Sequence, residues 1–213
     1  MIKSYSICPQ AAGKYISSLY GTKKNIWIGT DEGIYIYAYA TETFTYFDLT
    51  TPNNVRITSI VNHILQDKDG NLWFSTNGQG LFRYNLSKNY LEQYEFTSAF
   101  GIVASTMADS DNQIWALTNQ GESGVYKLNK AENKFEPFGL LYNAGNHHSQ
   151  ALAMLEDSEQ TLWLGTWECG LQKIDKYTRQ TTTYLHPTDG KGVTHIHSLM
   201  EYAPHQLLIG SDD

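Results

Sequence analysis

The sequence predicts an all-β fold, a β-propeller of four-stranded antiparallel blades. Three observations predict it. A strand-like segment occurs five times, its central residue returns every 42 to 48 positions, and aromatic residues, which favour strands, make up 13% of the chain. A repeat period in the forties with a strand-like core is typical of propellers whose blades have four strands. The segment reads NIWIGT at 25–30, NLWFST at 71–76, QIWALT at 113–118, TLWLGT at 161–166 and QLLIGS at 206–211.

The first two strands of each repeat are called A and B. An apolar stretch predicts strand A, and the repeated segment that follows it predicts strand B. The apolar stretch begins about eight residues before the central residue and ends in a polar turn. Asp69 and Gly70 in the second turn are the pair most favoured in two-residue hairpins. Strand B then carries the central residue and closes on a hydroxyl residue three positions later. The predicted structural tryptophans are Trp27, Trp73, Trp115 and Trp163, and Leu208 holds the fifth position.

The last two strands, C and D, follow a glycine at a fixed spacing. The glycine is Gly33, Gly80, Gly124 or Gly170, and strand D opens eleven residues after it in all four complete repeats. This constant spacing predicts a structural C–D loop. The B–C loop and the D–A connection to the next repeat vary in length, and variable loops on a fixed scaffold are where binding usually resides.

One such blade has two apolar faces and cannot cover them alone, so successive blades must stack with the tryptophans between them. The spacing predicts one propeller segment over residues 1–213, with four complete blades and a partial blade at each end. We expect a fragment of a larger propeller; a small ring closed by pairing of the terminal strands is the alternative. The predicted blades cover 14–48, 58–97, 101–139 and 150–186, and the partial blades cover 1–7 and 194–213.

Composition excludes several classes of function. The net charge is −7, from 15 basic and 22 acidic residues, and no Lys/Arg cluster could follow a phosphate backbone, so nucleic acid is not an expected partner. No apolar run of 18 residues predicts a membrane span, and MIKSYSICPQ lacks the layout of a secretory signal. Cys8 and Cys169 show no CxxC spacing and are expected to be unpaired thiols.

The repeat resembles the two-component regulator propeller repeat. Its best copy is ILQDKDGNLWFSTNGQGLFRYN at 64–85, with weaker copies at 106–129 and 154–175. Asp67, Asp109 and Asp157 share the position six before the tryptophan, which Gly21 takes in the first repeat. We expect these carboxylates to bond backbone amides of the A–B turn.

This resemblance implies the periplasmic sensor half of a hybrid histidine kinase from polysaccharide-degrading bacteria. In such proteins, propellers precede a membrane helix and cytoplasmic kinase and receiver domains, and the sensor responds to oligosaccharides. The resemblance therefore implies a non-catalytic, periplasmic segment without cofactors. Its expected partners are an oligosaccharide, further blades, the kinase domains of the parent chain and a second copy in a homodimer.

The B–C and D–A loops share one end of an antiparallel meander, so they define the expected ligand face. Trp167 is the first candidate, because it lies four residues after Trp163, outside the core register, and an aromatic face beside polar groups suits a sugar. The alternative is that Trp167 only packs on a neighbouring loop. The remaining candidates are Asp31, Glu32, Asn77, Gln79, Asn119, Gln120, Glu168, His147 and His148.

No catalytic or metal site is predicted. His147 and His148 lie in one loop, and His195 and His197 flank Ile196 in strand fashion, so the latter two should point away from Ile196, toward the central channel. No HExxH or Cys/His spacing accompanies them. Two rival functions remain: a propeller lyase or glycosidase, which needs acids or a Tyr/His pair meeting at the channel, and a protein-interaction scaffold, which needs a broad exposed patch.

Overall fold

The computed structural model describes residues 15–96, 101–118, 124–140, 150–185 and 195–212. Within these ranges every regular element is a β-strand. The strands form four four-stranded antiparallel sheets and one two-stranded sheet, each a simple meander. This confirms the predicted propeller blades. The partial blade predicted at 1–7 lies outside the described residues.

Blades 1 and 2 follow the predicted order A, B, C, D. In both, strand B lies between strands A and C, and its tryptophan pairs with Tyr20 or Leu65 of strand A. Blade 1 comprises β1 (Ile16–Gly21), β2 (Asn25–Thr30), β3 (Gly33–Ala38) and β4 (Thr43–Tyr46), and blade 2 comprises β5 (Val61–Gln66), β6 (Leu72–Thr76), β7 (Leu81–Asn85) and β8 (Tyr90–Tyr94).

Blades 3 and 4 repeat this order, and blade 5 contributes strands A and B. The A strands of successive blades lie against one another, β1 against β5 and β13 against β17, so they form the inner wall of the array. Blade 3 comprises β9 (Ser105–Ala108), β10 (Ile114–Thr118), β11 (Gly124–Asn129) and β12 (Lys134–Leu140). Blade 4 comprises β13 (Ala151–Glu156), β14 (Leu162–Thr166), β15 (Leu171–Ile174) and β16 (Thr181–Tyr184), and blade 5 comprises β17 (Ile196–Ala203) and β18 (Gln206–Ser211).

The tryptophans of strand B fill the spaces between blades, as the sequence predicts. Trp27 packs on Phe74 and Tyr84 of blade 2, Trp73 on blade 3 and Trp115 on blade 4, and all three are buried. Trp163 is only half-buried. The reason is that it faces blade 5, which supplies two strands here instead of four.

The glycine before strand C is required by geometry. Gly33, Gly80 and Gly170 have φ values of 105°, 75° and 68°, in the left-handed region that favours glycine. A Cβ on Gly33 would also lie 2.5 Å from the carbonyl oxygen of Ile57, and one on Gly170 would lie 2.5 Å from that of Tyr184. The backbone therefore passes too close to the end of strand D, or to the chain that follows it, for any side chain.

Candidate functional site

The B–C loops and the D–A connections meet at one end of the blades. Asn77 in the B–C loop of blade 2 forms an antiparallel bridge with Ile102, and Trp167 in blade 4 forms the equivalent bridge with His195. This end of the molecule, called the loop face below, is the surface on which the predicted ligand residues were expected to gather.

Trp167 occupies the loop face in a fixed position. Its backbone N–H donates to the carbonyl oxygen of Gln150 over 2.9 Å, and its indole stacks on the imidazole of His195, with ring centroids 3.7 Å apart and an angle of 37° between the planes. The residue nevertheless keeps 40% of its surface exposed. Trp167 thus packs on a neighbouring strand while two fifths of its surface stays exposed.

Asp212 joins the ring pair to a second histidine. One carboxylate oxygen, Oδ2, lies 3.4 Å from His195 Nδ1 and 3.0 Å from His197 Nε2. Ile196 between the two histidines is buried, so both imidazoles point away from it as the strand alternation predicted. Sequence reasoning missed Asp212. The available signal was its position directly after Ser211, which is the position that Trp167 holds after Thr166.

Three further candidates lie on the loop face around the blades. Asn77 and Glu168 are exposed, and Glu168 has a positive φ of 64° that directs the loop away from strand B. Asp31 is half-buried, and its Oδ1 is enclosed without a hydrogen bond to any described residue. A carboxylate oxygen held in this way retains the capacity to accept a hydrogen bond from a hydroxyl group.

Gln79 holds loops together: its amide oxygen accepts two backbone hydrogen bonds and its amide nitrogen donates one. Its Oε1 accepts hydrogen bonds from the N–H groups of Thr58 and Ser59, at 2.8 and 2.9 Å, and its Nε2 donates to the carbonyl oxygen of Arg56 over 2.9 Å. A ligand would have to compete with two backbone N–H groups for the amide oxygen. We therefore leave Gln79 out of the candidate site.

Several predicted residues cannot be placed. Asn119, Gln120, His147 and His148 lie outside the described residues, as does Cys8. Cys169 is buried. Among the residues that the structure describes, no group of three or more His, Cys, Asp or Glu side chains could hold a metal ion. In the same residues, no helix is long and apolar enough to cross a membrane.

The opposite end of the blades, formed by the A–B and C–D turns, is held by hydrogen bonds. Asp67 Oδ1 accepts from the N–H of Asn71 over 2.8 Å, as predicted, and its Oδ2 accepts from Trp73 Nε1 over 2.8 Å, which was not predicted. In blade 1 the hairpin is one residue shorter, so Thr22, and not Gly21, begins the turn, and its hydroxyl accepts from the N–H of Asn25.

A buried lysine joins blades 3 and 4 at this end. Lys176 Nζ lies 2.9 Å from Asp111 Oδ2, 2.8 Å from Glu156 Oε1 and 3.5 Å from Asp109 Oδ2, and only 3% of its side chain is exposed. Desolvation pulls the pKa of Lys176 down, but the hydrogen bonds to Glu156 and Asp111 and the charge of Asp109 outweigh it and hold the pKa above its ordinary value. We assign this cluster a structural role, the joining of blades 3 and 4.

Comparison with known proteins identifies the repeat. Residues 54–78 match the family model described as the two component regulator propeller. The match covers strands A and B of blade 2 and the connection before them. No curated protein matches the chain.

Solved structures share its fold. The extracellular domain of BT4673 from B. thetaiotaomicron, described as a one component system, superimposes with a TM-score of 0.74 at 22% identity, over 93% of this chain and 25% of that one. The extracellular domain of the hybrid two component system BT3049 from B. thetaiotaomicron gives 0.70 at 19% identity, over 92% and 27%. Virginiamycin B lyase from Staphylococcus aureus gives 0.65 at 19% identity, over 88% and 60%. The chain thus spans about a quarter of the extracellular domains that it resembles.

Proposed function

We propose that the chain is a non-catalytic, periplasmic sensor segment of a hybrid two-component regulator. In this proposal, the propeller binds an oligosaccharide and the parent protein passes the signal to a histidine kinase. The family repeat supports the proposal, as does the fold shared with extracellular domains of such systems.

The exposed indole of Trp167 is the observation that carries the ligand assignment. Sugars present a CH face that stacks on an aromatic ring, while their hydroxyl groups need polar partners at its edge. The contact with His195 and the bridge to its backbone hold the indole in place. A ring fixed before binding loses little conformational entropy when the ligand arrives.

Polar groups next to Trp167 meet the second requirement. Glu168 follows it in the same loop, and Asp212 contacts both His195, on which the indole stacks, and His197. Together these side chains supply both acceptors and donors for hydroxyl groups. Asp31 and Asn77 lie on the loop face of other blades and would contact a longer saccharide.

A fluorescence titration tests this assignment. The chain would be titrated with cellohexaose, xylohexaose, maltohexaose and mannohexaose, and binding followed by tryptophan emission. We expect at least one to bind, and Trp167→Ala to weaken its binding by about thirtyfold or more, since a stacked aromatic ring at the centre of a site typically contributes about 2 kcal/mol or more. Tyr177→Ala is the matched control, because Tyr177 is an exposed aromatic residue in the C–D turn, at the opposite end of the blades.

Equal affinity of wild type and Trp167→Ala for the bound sugar would remove Trp167 from the site. Failure of all four sugars to bind would count against the oligosaccharide assignment.

A second candidate function is lyase chemistry. Its support is the fold shared with virginiamycin B lyase and the contact of His197 with Asp212, since a carboxylate can hold an imidazole in position to act as a base. The assay is the release of new chain ends from neutral and acidic polysaccharides. Turnover by wild type that is lost in His197→Ala would favour the lyase, and no turnover would favour the sensor.

A further inference from the structure

A positively charged groove lies between blades 3 and 4, toward the C–D turns and away from the loop face. It has a volume of about 350 Å³, and its lining includes Lys127, Lys130, Glu136, Phe138 and Arg179. Lys127 and Glu136 are paired residues of strands C and D in blade 3, and Arg179 reaches over from the C–D turn of blade 4.

The equivalent positions between blades 2 and 3 form a closed hydrogen-bond network. Arg83 pairs with Glu92 at 2.5 Å. The hydroxyl of Tyr94 donates to Glu92 Oε2 over 2.9 Å and lies 2.8 Å from Asn133 Oδ1, while Asn133 Nδ2 donates to Glu92 Oε1 over 2.6 Å. Each charge in this network has an opposite partner, so the space between these blades is neutralised by the protein itself.

Between blades 3 and 4 three of these four positions carry a different residue, and two of the differences leave the network without its members. Counted from the glycine before strand C, Lys127 replaces Arg83 and Glu136 matches Glu92. Phe138 then takes the place of Tyr94, and Arg179 that of Asn133. The hydroxyl and the amide that engaged the carboxylate are therefore absent, and a second cation occupies the position of the amide.

The consequence is an excess of positive charge around one ring. Lys127 Nζ lies 5.9 Å and the Arg179 guanidinium 5.0 Å from the centre of Phe138. Glu136 accepts a hydrogen bond from Asn129 Nδ2 over 2.9 Å. Among the residues that the structure describes, neither Lys127, Lys130 nor Arg179 forms an ion pair within 4.0 Å. Three cations and one carboxylate leave about two positive charges in this groove of an otherwise acidic chain.

We propose that this groove binds the oxyanion group of a small ligand, a carboxylate, sulfate or phosphate. Arg179 presents a planar guanidinium that matches two oxygens of such a group, and Lys127 adds a point charge from strand C of blade 3. The site is separate from the loop face and does not depend on the sensor function proposed above.

Calorimetric titration of the chain with sodium sulfate, sodium phosphate and sodium glucuronate tests the proposal. It also distinguishes binding of a sulfate, a phosphate and a carboxylate. Glucose is the neutral probe. We expect at least one anion to bind, no heat from glucose, and weaker binding as salt rises, since these charges are partly exposed. Lys127→Gln should weaken binding about tenfold, the effect of losing one charge-assisted contact of about 1.4 kcal/mol.

A double variant tests whether the groove binds anions because the network found between blades 2 and 3 is missing. Phe138→Tyr combined with Arg179→Asn supplies the groups found between blades 2 and 3, so Glu136 should become engaged and anion binding should be lost while the fold is kept. Lys173→Gln is the matched control: Lys173 lies over Trp163 as Lys127 lies over Trp115, but outside this groove. Lys173→Gln should bind like wild type.

Three results would overturn the proposal. The first is that none of the three anions binds to wild type. The second is that a correctly folded double variant binds the anion as tightly as wild type. The third is that Lys173→Gln weakens binding as much as Lys127→Gln, which would indicate general electrostatic attraction.

Discussion

Trp115 Nε1 donates a hydrogen bond of 3.0 Å to Asp109 Oδ2, and the other oxygen of that carboxylate accepts from the N–H of Gln113 over 2.8 Å. One side chain therefore closes the A–B turn and also fixes the indole between blades. A cation completes the arrangement, since Lys127 Nζ lies 5.1 Å from the indole centre. The same set recurs as Asp67, Trp73 and Arg83 and as Asp157, Trp163 and Lys173.

Replacing Asp109 should destabilise the fold. Asp109→Ala leaves the buried indole N–H of Trp115 and two turn amides without acceptors and removes one counter-charge of Lys176. We expect a loss of about 3 kcal/mol in the free energy of unfolding, measured by urea denaturation. Asp157→Ala is the control and should cost less, because Trp163 is only half-buried and solvent can replace the lost bond. Equal losses would contradict the role assigned to burial.

Replacing a tryptophan should likewise cost more free energy of unfolding where its indole is more deeply buried. Trp73 is 1% exposed, so Trp73→Ala should cost about 3–5 kcal/mol in urea denaturation. Trp163→Ala should cost about 2 kcal/mol, because less apolar surface is removed from water. A loss below about 1 kcal/mol for Trp73→Ala would mean that the ring makes no tight contact between blades.

The fold was predictable because the determining signals are local and repeated. The spacing of Trp27, Trp73 and Trp115 fixed the order of strands and the residues between blades. The sequence pattern puts Gly21 at the position of Asp67, six residues before the tryptophan. In the structure the turn of blade 1 is one residue shorter, so Thr22, five residues before Trp27, takes that role.

The site was predictable only in part. Trp167 stood out because an aromatic residue in a variable loop breaks the repeat pattern. The hydrogen bonds of Gln79 and the approach of Asp212 to both histidines depend on contacts between different blades, which one sequence does not reveal. The charged groove could not be predicted for the same reason, since Arg179 and Lys127 come from neighbouring blades.

Lys176→Gln should destabilise the contact of blades 3 and 4. The change removes the cation from a buried cluster and leaves Asp109 and Glu156 close to each other without it. Removing one member of a buried ion pair typically costs about 3–5 kcal/mol, and we expect a loss in this range by urea denaturation. Lys130→Gln is the control, since Lys130 is exposed. Similar stability of the two variants would show that the cluster contributes nothing net.

The same cluster should shape the dependence of stability on pH. The hydrogen bond and charge of Lys176 lower the pKa of Asp111, so this pair adds stability above the unfolded pKa of about 4 and loses it as pH falls through the lower folded value. The raised pKa of Lys176 adds stability below about pH 10 that is lost as pH rises through the higher folded value. Melting temperatures of Lys176→Gln should therefore vary less with pH at both ends than those of wild type.

Gln79→Ala should loosen the loop before strand A of blade 2 without affecting ligand binding. Amide hydrogen exchange at Thr58 and Ser59 should accelerate, because both N–H groups lose their acceptor. The global free energy of unfolding should fall by about 1–2 kcal/mol. If Gln79→Ala, which keeps Trp167, binds an oligosaccharide more weakly than wild type, Gln79 belongs to the candidate site.

Hydrogen exchange with bound ligand tests the location of the site most directly. The chain would be compared with and without the hexasaccharide that changes tryptophan emission most strongly. The sensor proposal expects slower exchange in residues 166–170 and 195–198, which surround the indole of Trp167, and unchanged exchange in the A–B turns at 67–71 and 109–113. Slower exchange confined to those turns, with none around Trp167, would contradict it.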